Sequence, residues 1–449
     1  MSNQISVIIP VHNGEQYLRS CLSHIAESDV APLEIIVADD ASTDASAAVA
    51  HEFGATVVHL PFQHGPARAR NAAAQRARGD ILLFLDADVC VNRQTIGLAA
   101  AYLDAHPEID SVIGSYDYSP QDPNFISCYK NLVHCHTHQI SGSRASTFWT
   151  GCGAIRREVF VELGGFDESY TRACVEDIEL GLRMVRAHKR IELVKQLQVK
   201  HLKSWSLLTL LKSDILDRAI PWAELILRWG ELPNSLNLRM SQRVSALLIE
   251  CCLIMAMFEL TRFGSWFLMP LLTVLFLCLG RYWAQSVALR NGTGISIVLS
   301  VMLGAIAGMA YTRHALLLPM VAAGEYLLLY LRDCCLHTSR MRRFSGFLIG
   351  VYFVAAVTYT LSYLPHHWLI TTFMAMSAAL LIINASVYLF LARRWGKLLA
   401  IAAIPLHWLY LLYCGPAFIT GALVYKLKQI KRAGNLARPD GRVATQKEA

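Results

Sequence analysis

The stretch LLFLDADVC, residues 82–90, is an apolar run that ends in two carboxylates, Asp86 and Asp88, two positions apart. Bare carboxylates are costly beside a core, so the pair needs a use. Acids at i and i+2 across one turn face a common point. At a strand end they can hold a divalent cation, and Mg2+ or Mn2+ prefers oxygen ligands. Such an ion bridges diphosphate oxygens and neutralises a phosphate leaving group. The plainer explanation is an Asx turn closing the strand. Glu176 and Asp177 form a second acidic pair, whose plainer explanation is a helix N-terminus, where the dipole favours negative charge. His134 and His138 stand four apart in CYKNLVHCHTHQ, residues 128–139. A helix can turn that spacing into a metal pair, but no Glu follows in zincin order and no CxxC supports zinc.

The elements that must position these groups alternate. ISVIIPV (5–11), LEIIVADD (33–40), ATVVHL (55–60) and DILLFLDAD (80–88) read as strands. Residues 14–27, ASTDASAAVAHEF and the Ala-rich GPARARNAAAQRA read as helices, with Ser42 or Thr43 capping the second. Continuous apolar strands alternating with helices predict a parallel, doubly wound α/β sheet. Ligands bind such sheets at the carboxyl ends of the strands. Asp39, Asp40, Asp86 and Asp88 fall at two such ends.

From about residue 244 the character changes. Of 449 residues 54% are apolar, more than an ordinary soluble protein carries. Apolar runs occupy 244–261, 264–280, 295–312, 315–331, 345–363, 368–392 and a longer 398–425. Residues 244–449 hold 6 acids against 18 Lys and Arg, so the net charge of +7 belongs to this half. The bases cluster at Arg281 and Arg290, Arg332 to Arg343, Arg393 to Lys397, and a tail from Lys426 to Arg442. This is the positive-inside pattern of a multi-span membrane domain, not of nucleic-acid binding. MSNQISVIIP has no basic n-region, so no signal peptide is expected. The first half and the basic tail should share the cytoplasmic side of a bacterial inner membrane. That requires an even number of crossings: six if 398–425 is a hairpin broken at Pro405 and Gly415-Pro416 or lies in the interface, or eight short ones. Residues 201–243 mix Trp with Lys and Arg and suit amphipathic interfacial helices. The expected organisation is therefore 1–200 catalytic, 201–243 interfacial, 244–425 transmembrane and 426–449 basic tail. Glu250, Glu259 and Glu325 sit inside apolar runs, where acids are often functional. The twelve cysteines are scattered and read as reduced thiols.

Five segments, VIIPVHNG (7–14), VADDASTD (37–44), GPARARNAAAQRARGDILLFLDADV (65–89), GCGAIRREVFVELGGFDE (151–168) and VEDIELGLR (175–183), occur in the order and at about the spacing of family 2 inverting glycosyltransferases. The resemblance covers roughly residues 3–240 and implies a GT-A, Rossmann-like nucleotide-sugar-binding domain. Position by position it implies that Pro10 and Val11 line the nucleotide pocket, with Asn13 closing the first motif. Asp39 resembles the base-contacting aspartate, with Asp40 beside it, and Arg70 and Asn71 approach nucleotide or sugar. Asp86 and Asp88 match the DxD metal motif, Asp88 the stronger ligand, and His201, in an H-x-x-x-W with Trp205, is a third metal or diphosphate contact. Gly151, Cys152 and Gly153, with Gly164, Gly165, Phe166 and Asp167, match the segments that shape the donor and acceptor pocket. Asp177 matches the catalytic base and Glu176 its partner. One departure is that many relatives carry Glu directly after the first-motif Asn, where this chain has Gly14.

The chemistry is coherent. An acceptor hydroxyl must lose its proton as it attacks, a nearby carboxylate can take it, and Glu176 can raise the basicity of Asp177 by like-charge proximity. RAIPW (218–222) loosely resembles the QxxRW segment of processive synthases but lacks its Gln and the Arg before Trp. Arg218 and Trp222 are still expected at diphosphate or acceptor, Phe148 and Trp149 as an apolar wall or sugar-stacking surface, and 128–139 as a mobile loop touching acceptor or lipid headgroups. The resulting expectation is a metal-dependent, membrane-bound transferase. It takes a nucleotide-sugar donor and a lipid-linked or membrane-proximal acceptor, such as the polyprenyl phosphate of dolichol-phosphate mannose synthase-like relatives. A processive polysaccharide synthase with a membrane channel, and a flippase carrying a nucleotide-sugar-binding domain, stand as alternatives.

Overall fold

A computed structural model describes residues 4–230, 236, 239–257 and 366–436. The apolar runs at 264–280, 295–312, 315–331 and 345–363, the Arg281–Arg290 and Arg332–Arg343 clusters, Glu259 and Glu325 lie outside the described residues.

The strands are β1 (Ile5–Val11), β2 (Glu34–Asp39), β3 (Thr56–His59), β4 (Ile81–Phe84), β5 (Val89–Val91), β6 (Ser111–Tyr116), β7 (Arg144–Ala145), β8 (Gly153–Arg156) and β9 (Ile191–His201). They form one sheet in the order β3-β2-β1-β4-β8-β6-β9-β5, with β7 paired to β9. β3, β2, β1 and β4 are parallel, as their unbroken apolar runs predict. Helix α1 (Glu15–Ala26) buries Leu18, Cys21, Leu22 and Ile25, one stripe at helical spacing, against the sheet. The second helix, α2 (Ser46–Glu52), begins after Ser42 and Thr43, with Asp44 accepting from the Ser46 N–H and hydroxyl. Helix α3 (Pro66–Arg76) covers the other face with buried Ala67, Ala69, Ala73 and Ala74, small side chains that bring it close.

Beyond β4 the sheet is mixed rather than parallel. β8 runs antiparallel to β4 and β6, and β5 antiparallel to β9. The four legible strands carry the parallel pattern. β6, six buried residues, runs parallel to β9, which alternates buried and half-buried. The mixed half has a consequence for the site: in the β5–β9 ladder Val89 faces His201, and the Leu202 N–H donates to the Asp88 carbonyl at 2.8 Å. That register fixes His201 beside Asp88.

The remaining helices are α4 (Thr95–Ala105), α5 (Phe125–Ile140), α6 (Arg157–Glu162), α7 (Glu176–Arg186), α8 (Leu207–Lys212), a π-helix over Ser213–Ala219, and α9 (Ile220–Trp229). Then come α10 (Met240–Met257), α11 (His366–Ile383), α12 (Ala385–Trp395) and α13 (Lys397–Leu436). Residues 128–139 are therefore helix, not a mobile loop. Asn124 caps α5 by accepting from the Ser127 N–H, and eight of its side chains are buried. Helix α13 runs through Pro405 and Pro416 without the expected break. A helix tolerates proline where neighbours pack on it, and α9 packs closely on α13: a Cβ on Gly421 would lie 2.6 Å from the Ala223 Cβ.

Among the described residues two helices, over Met240–Met257 and Lys397–Ile430, are long and apolar enough to cross a membrane. A third qualifies if the 58° bent pair Ile370–Ile383 and Ala385–Trp395 counts as one span. Residues 1–249 together with 380–449 form one compact unit, and 250–379 a second. The nine cysteines among the described residues are all free thiols.

Candidate active site

The site gathers at the carboxyl ends of β1, β2 and β4 and the N-terminus of α7. Its centre is Arg70, on α3 and only 3% exposed. Its Nη1 donates to Glu176 Oε1 at 2.9 Å and its Nη2 to Asp86 Oδ1 at 2.7 Å. One guanidinium thus ties the DxD loop to the start of α7. The Cys174 N–H donates to the other Glu176 oxygen at 2.8 Å, so this buried carboxylate is fully committed.

Asp177 is different. It is half-buried, and one oxygen accepts from the Thr150 N–H and hydroxyl at 3.2 and 3.3 Å. Burial, then the neighbouring Glu176 charge, raise its pKa to about 6, with Arg70 opposing. Of the acidic pair, Asp177 is the one with the basicity and exposure to accept a proton.

Asp88 faces His201 across 3.7 Å, beyond hydrogen-bond range. Burial alone would raise the Asp88 pKa, but His201 and Lys203 bring it below the usual range. At Asp86 burial wins over Arg70 and, with Asp88, the pKa is raised. His201 is buried and stacks on Tyr116, ring centroids 4.4 Å apart. Among the described residues no three of His, Cys, Asp and Glu converge as a protein cage for a metal. The donor set fits an ion held jointly with a ligand instead: Asp88 offers two carboxylate oxygens and His201 one ring nitrogen. Mg2+-type ions are usually bound by one or two carboxylates plus substrate phosphates. Asp86 has one oxygen engaged by Arg70.

At the other end, Asp39 accepts from His59 Nδ1 at 3.1 Å and from the Ser42 N–H at 3.0 Å. Asp40 takes the His64 and Gly65 N–H groups, both at 2.8 Å, and so shapes the turn into α3. Asn13, in left-handed conformation at φ 51°, accepts from the Thr43 N–H and hydroxyl. Pro10 and Val11 lie in β1, paired with Ala38 and Asp39. A depression of about 300 Å3 lined by Asn13, Glu15, Gln16, Arg19 and Asp44 includes none of the central carboxylates.

The 151–167 segments are fixed by packing. Asn71 binds Phe166 through both its backbone groups, at 2.9 Å each, which staples the GGFD loop to α3. Gly165 has φ +74°, and a Cβ there would lie 2.5 Å from Asn71 Oδ1. The Phe166 ring packs on Phe84 and lies 5.5 Å from the Arg70 guanidinium. Cys152 is fully buried, its thiol pushed up to about 12. A Cβ on Gly151 or Gly153 would strike Trp149. Trp149 packs edge-on against Tyr116 and beside His134 and His138, and Phe148 is core. The His134 and His138 rings meet at 4.2 Å, but His138 Nδ1 pairs with the Gly114 carbonyl at 2.9 Å. Both imidazoles are held neutral by burial, and the pair packs the site wall. Asp167 lies 3.6 Å from Arg228. Trp205 is buried, with Lys203 over its ring, and Trp222 packs with Val175 and Leu225. Sequence reasoning passed over Thr150, although it directly precedes the GCG motif, and Tyr116, whose role depends on a stack formed only in the fold.

Comparison with known proteins decides the family. Residues 6–164 match the glycosyl transferase family 2 profile, and residues 133–205 match one described as the N-terminal domain of galactosyltransferase. Residues 6–164 are a family 2 glycosyltransferase domain. The glycosyltransferase GlyG of Streptococcus pneumoniae is 33% identical over 131 residues, covering 28% of this chain and 43% of that one. The validoxylamine A glucosyltransferase of Streptomyces hygroscopicus is 28% identical over 222 residues, covering 40% of this chain and 47% of that one. The chain thus spans under half the length of these curated relatives. Among solved structures, the mannosyltransferase PcManGT of Pyrobaculum calidifontis with GDP-Man and Mn2+ aligns at 22% identity and a TM-score of 0.39. The alignment covers 51% of this chain and 64% of that one. The family 2 domain carries its motifs on a mixed α/β sheet.

Proposed function

We propose that the chain is a membrane-bound, inverting glycosyltransferase that moves a sugar from a nucleotide-sugar donor to a lipid-linked or membrane-proximal acceptor, with a divalent metal. The observation that carries this reading is Asp177: a half-buried carboxylate with a pKa near 6, held by Thr150 beside the Arg70–Glu176–Asp86 network.

In this reading Pro10, Val11, Asn13, Asp39 and Asp40 form the nucleotide end of the site. Asp88, His201 and the free side of Asp86 face the diphosphate. A Mg2+ or Mn2+ ion held by these residues would neutralise charge on the leaving diphosphate. Arg218 is a cation with no hydrogen bond or ion pair among the described residues. Burial alone would lower its pKa, but Asp214, then Tyr116, Asp177 and Asp86, raise it on balance. Its charge suits the same diphosphate. The acceptor hydroxyl attacks the anomeric carbon from the face opposite the diphosphate. Its proton passes to Asp177, the new C–O bond forms, and the bond to the diphosphate oxygen breaks, which inverts the centre. Arg70 holds Asp86 and Glu176 in place. Trp149, Gly151 and Phe166 form the pocket wall for the sugar and acceptor.

The membrane half supports the acceptor class. Leu398, Ile401, Ile419, Leu423, Leu427 and Ile430 of α13 are exposed large apolar side chains, a surface suited to lipid. The test is incubation of lipid-reconstituted protein with radiolabelled UDP-, GDP- and dTDP-sugars and Mn2+, followed by organic extraction. Metal-dependent label in the lipid phase is the expected result. Label confined to long aqueous polymer would replace this reading with a processive synthase. No transfer from any donor despite tight nucleotide binding would replace it with a binding domain.

A further inference from the structure

Tyr116 closes β6, and its ring stacks on His201 with centroids 4.4 Å apart and planes 19° from parallel. His134 tilts onto the same ring at 4.4 Å, and Trp149 meets it edge-on at 5.0 Å. Tyr116 thus links the Trp149 wall to His201. The His201 ring makes no hydrogen bond among the described residues: Asp88 Oδ2 stands 3.7 Å from its Nε2, beyond range. The β5–β9 register fixes the His201 backbone. The terminal torsion of a histidine is broad, so the plane of the ring needs a determinant of its own. The stack supplies it.

Strand pairing brings the two rings together. β6 and β9 are parallel, and Ile113 pairs with Leu193, whereas Ser115 pairs with Gln198 and Tyr116 with Val199. Between those pairs β9 advances five residues while β6 advances two. An unbroken ladder would set Tyr116 beside Gln196, on the opposite face from His201 and roughly 16 Å along the strand from it. The slip sets it beside Val199 instead, two residues from His201 and on the same face. Slips of this kind recur next to active sites, where they re-aim a side chain. Gly114 permits this one, because a Cβ there would lie 2.2 Å from the Leu197 carbonyl oxygen. Packing alone would ask only for an apolar side chain of similar volume at position 116.

We infer that Tyr116 is a positioning residue whose ring sets the plane of the His201 imidazole, with Nε2 toward Asp88, for the metal and the donor diphosphate. This rests on the reading above that His201 faces the diphosphate.

The test uses the full-length protein in lipid nanodiscs. Calorimetry measures UDP and GDP binding with Mn2+ and again with EDTA. Tyr116→Leu removes the ring. For the nucleotide that wild type binds, it should weaken the affinity with Mn2+ by about 2- to 10-fold, the scale of one aromatic pair, and leave the affinity in EDTA unchanged. Tyr116→Phe keeps the ring and should bind as wild type does. In a His201→Ala background Tyr116→Leu should cost nothing further. Equal losses with and without His201, or a loss in EDTA as large as with Mn2+, would overturn the inference and make Tyr116 a wall residue. A Phe variant as impaired as the Leu variant would also overturn it, by placing the effect in the hydroxyl. Wild-type binding by Tyr116→Leu, with His201→Ala impaired, would overturn the inference and leave the reading of His201 intact. Wild-type binding by His201→Ala would overturn both. Should Tyr116→Leu fail to fold, Tyr116→Met, which fills the space without a ring, takes its place.

Discussion

Thr150 binds Asp177 twice, with its N–H at 3.2 Å and its hydroxyl at 3.3 Å reaching the same carboxylate oxygen. The pair joins the loop before β8 to the first turn of α7 and leaves Asp177 half-exposed. These bonds lower the Asp177 pKa, while burial and then Glu176 raise it to about 6. A base must be deprotonated, so kcat/KM should fall about tenfold per pH unit below 6. Glu176→Gln removes a like charge and should move that acid limb to lower pH. An acid limb that stays at the same pH in Glu176→Gln would separate Asp177 from the profile.

Arg70 should matter to the fold as well as to activity. Its buried guanidinium balances Asp86 and Glu176, and removing one partner of a buried network costs about 3–5 kcal/mol. Arg70→Met should lower the unfolding midpoint well below that of Arg68→Met, whose side chain is largely exposed. Equal midpoints for the two variants would refute the structural role.

The metal contacts should rank. Asp88 has a carboxylate facing His201 across 3.7 Å, whereas Asp86 has an oxygen taken by Arg70. Mn2+-dependent UDP or GDP binding should suffer most in Asp88→Asn, less in His201→Ala and least in Asp86→Asn, as read by calorimetry with and without chelator. An Asp86 variant that loses more than the Asp88 variant would reverse the assignment.

Gly165→Ala should be destabilising out of proportion to its size. The position has φ +74°, and the new Cβ would lie 2.5 Å from Asn71 Oδ1. Left-handed backbone costs a non-glycine residue roughly 1–2 kcal/mol before any clash. Gly164→Ala has a similar φ of +76° but nothing within 4 Å, so it isolates the backbone cost. Urea unfolding of both should show the larger loss at Gly165.

How much of this was legible in the sequence depends on where each signal is stored. The parallel strands were readable because burial on both faces leaves long apolar runs such as ISVIIPV. Asp86, Asp88, Glu176 and Asp177 were readable as chemical pairs. The antiparallel strands were not, because β5 is only three residues long and β8, GAIR, lacks the unbroken apolar run of ILLF in β4. The continuous α13 was hidden by Pro405 and Pro416, since the packing that tolerates them is tertiary. Arg70 was read as a ligand contact; that it also ties Asp86 to Glu176 was not legible, since its bond to Glu176 joins positions 106 residues apart. Lys130, Asp214 and Tyr413 carry no motif and meet only in the fold.

The most direct test of the central claim is the single-turnover rate of sugar transfer by Asp177→Asn, measured beside its affinity for the donor nucleotide. A general base contributes about 10^2- to 10^4-fold. A loss in that range with nucleotide binding and fold intact is the predicted result. Transfer at the wild-type rate would contradict it and remove Asp177 from the chemistry.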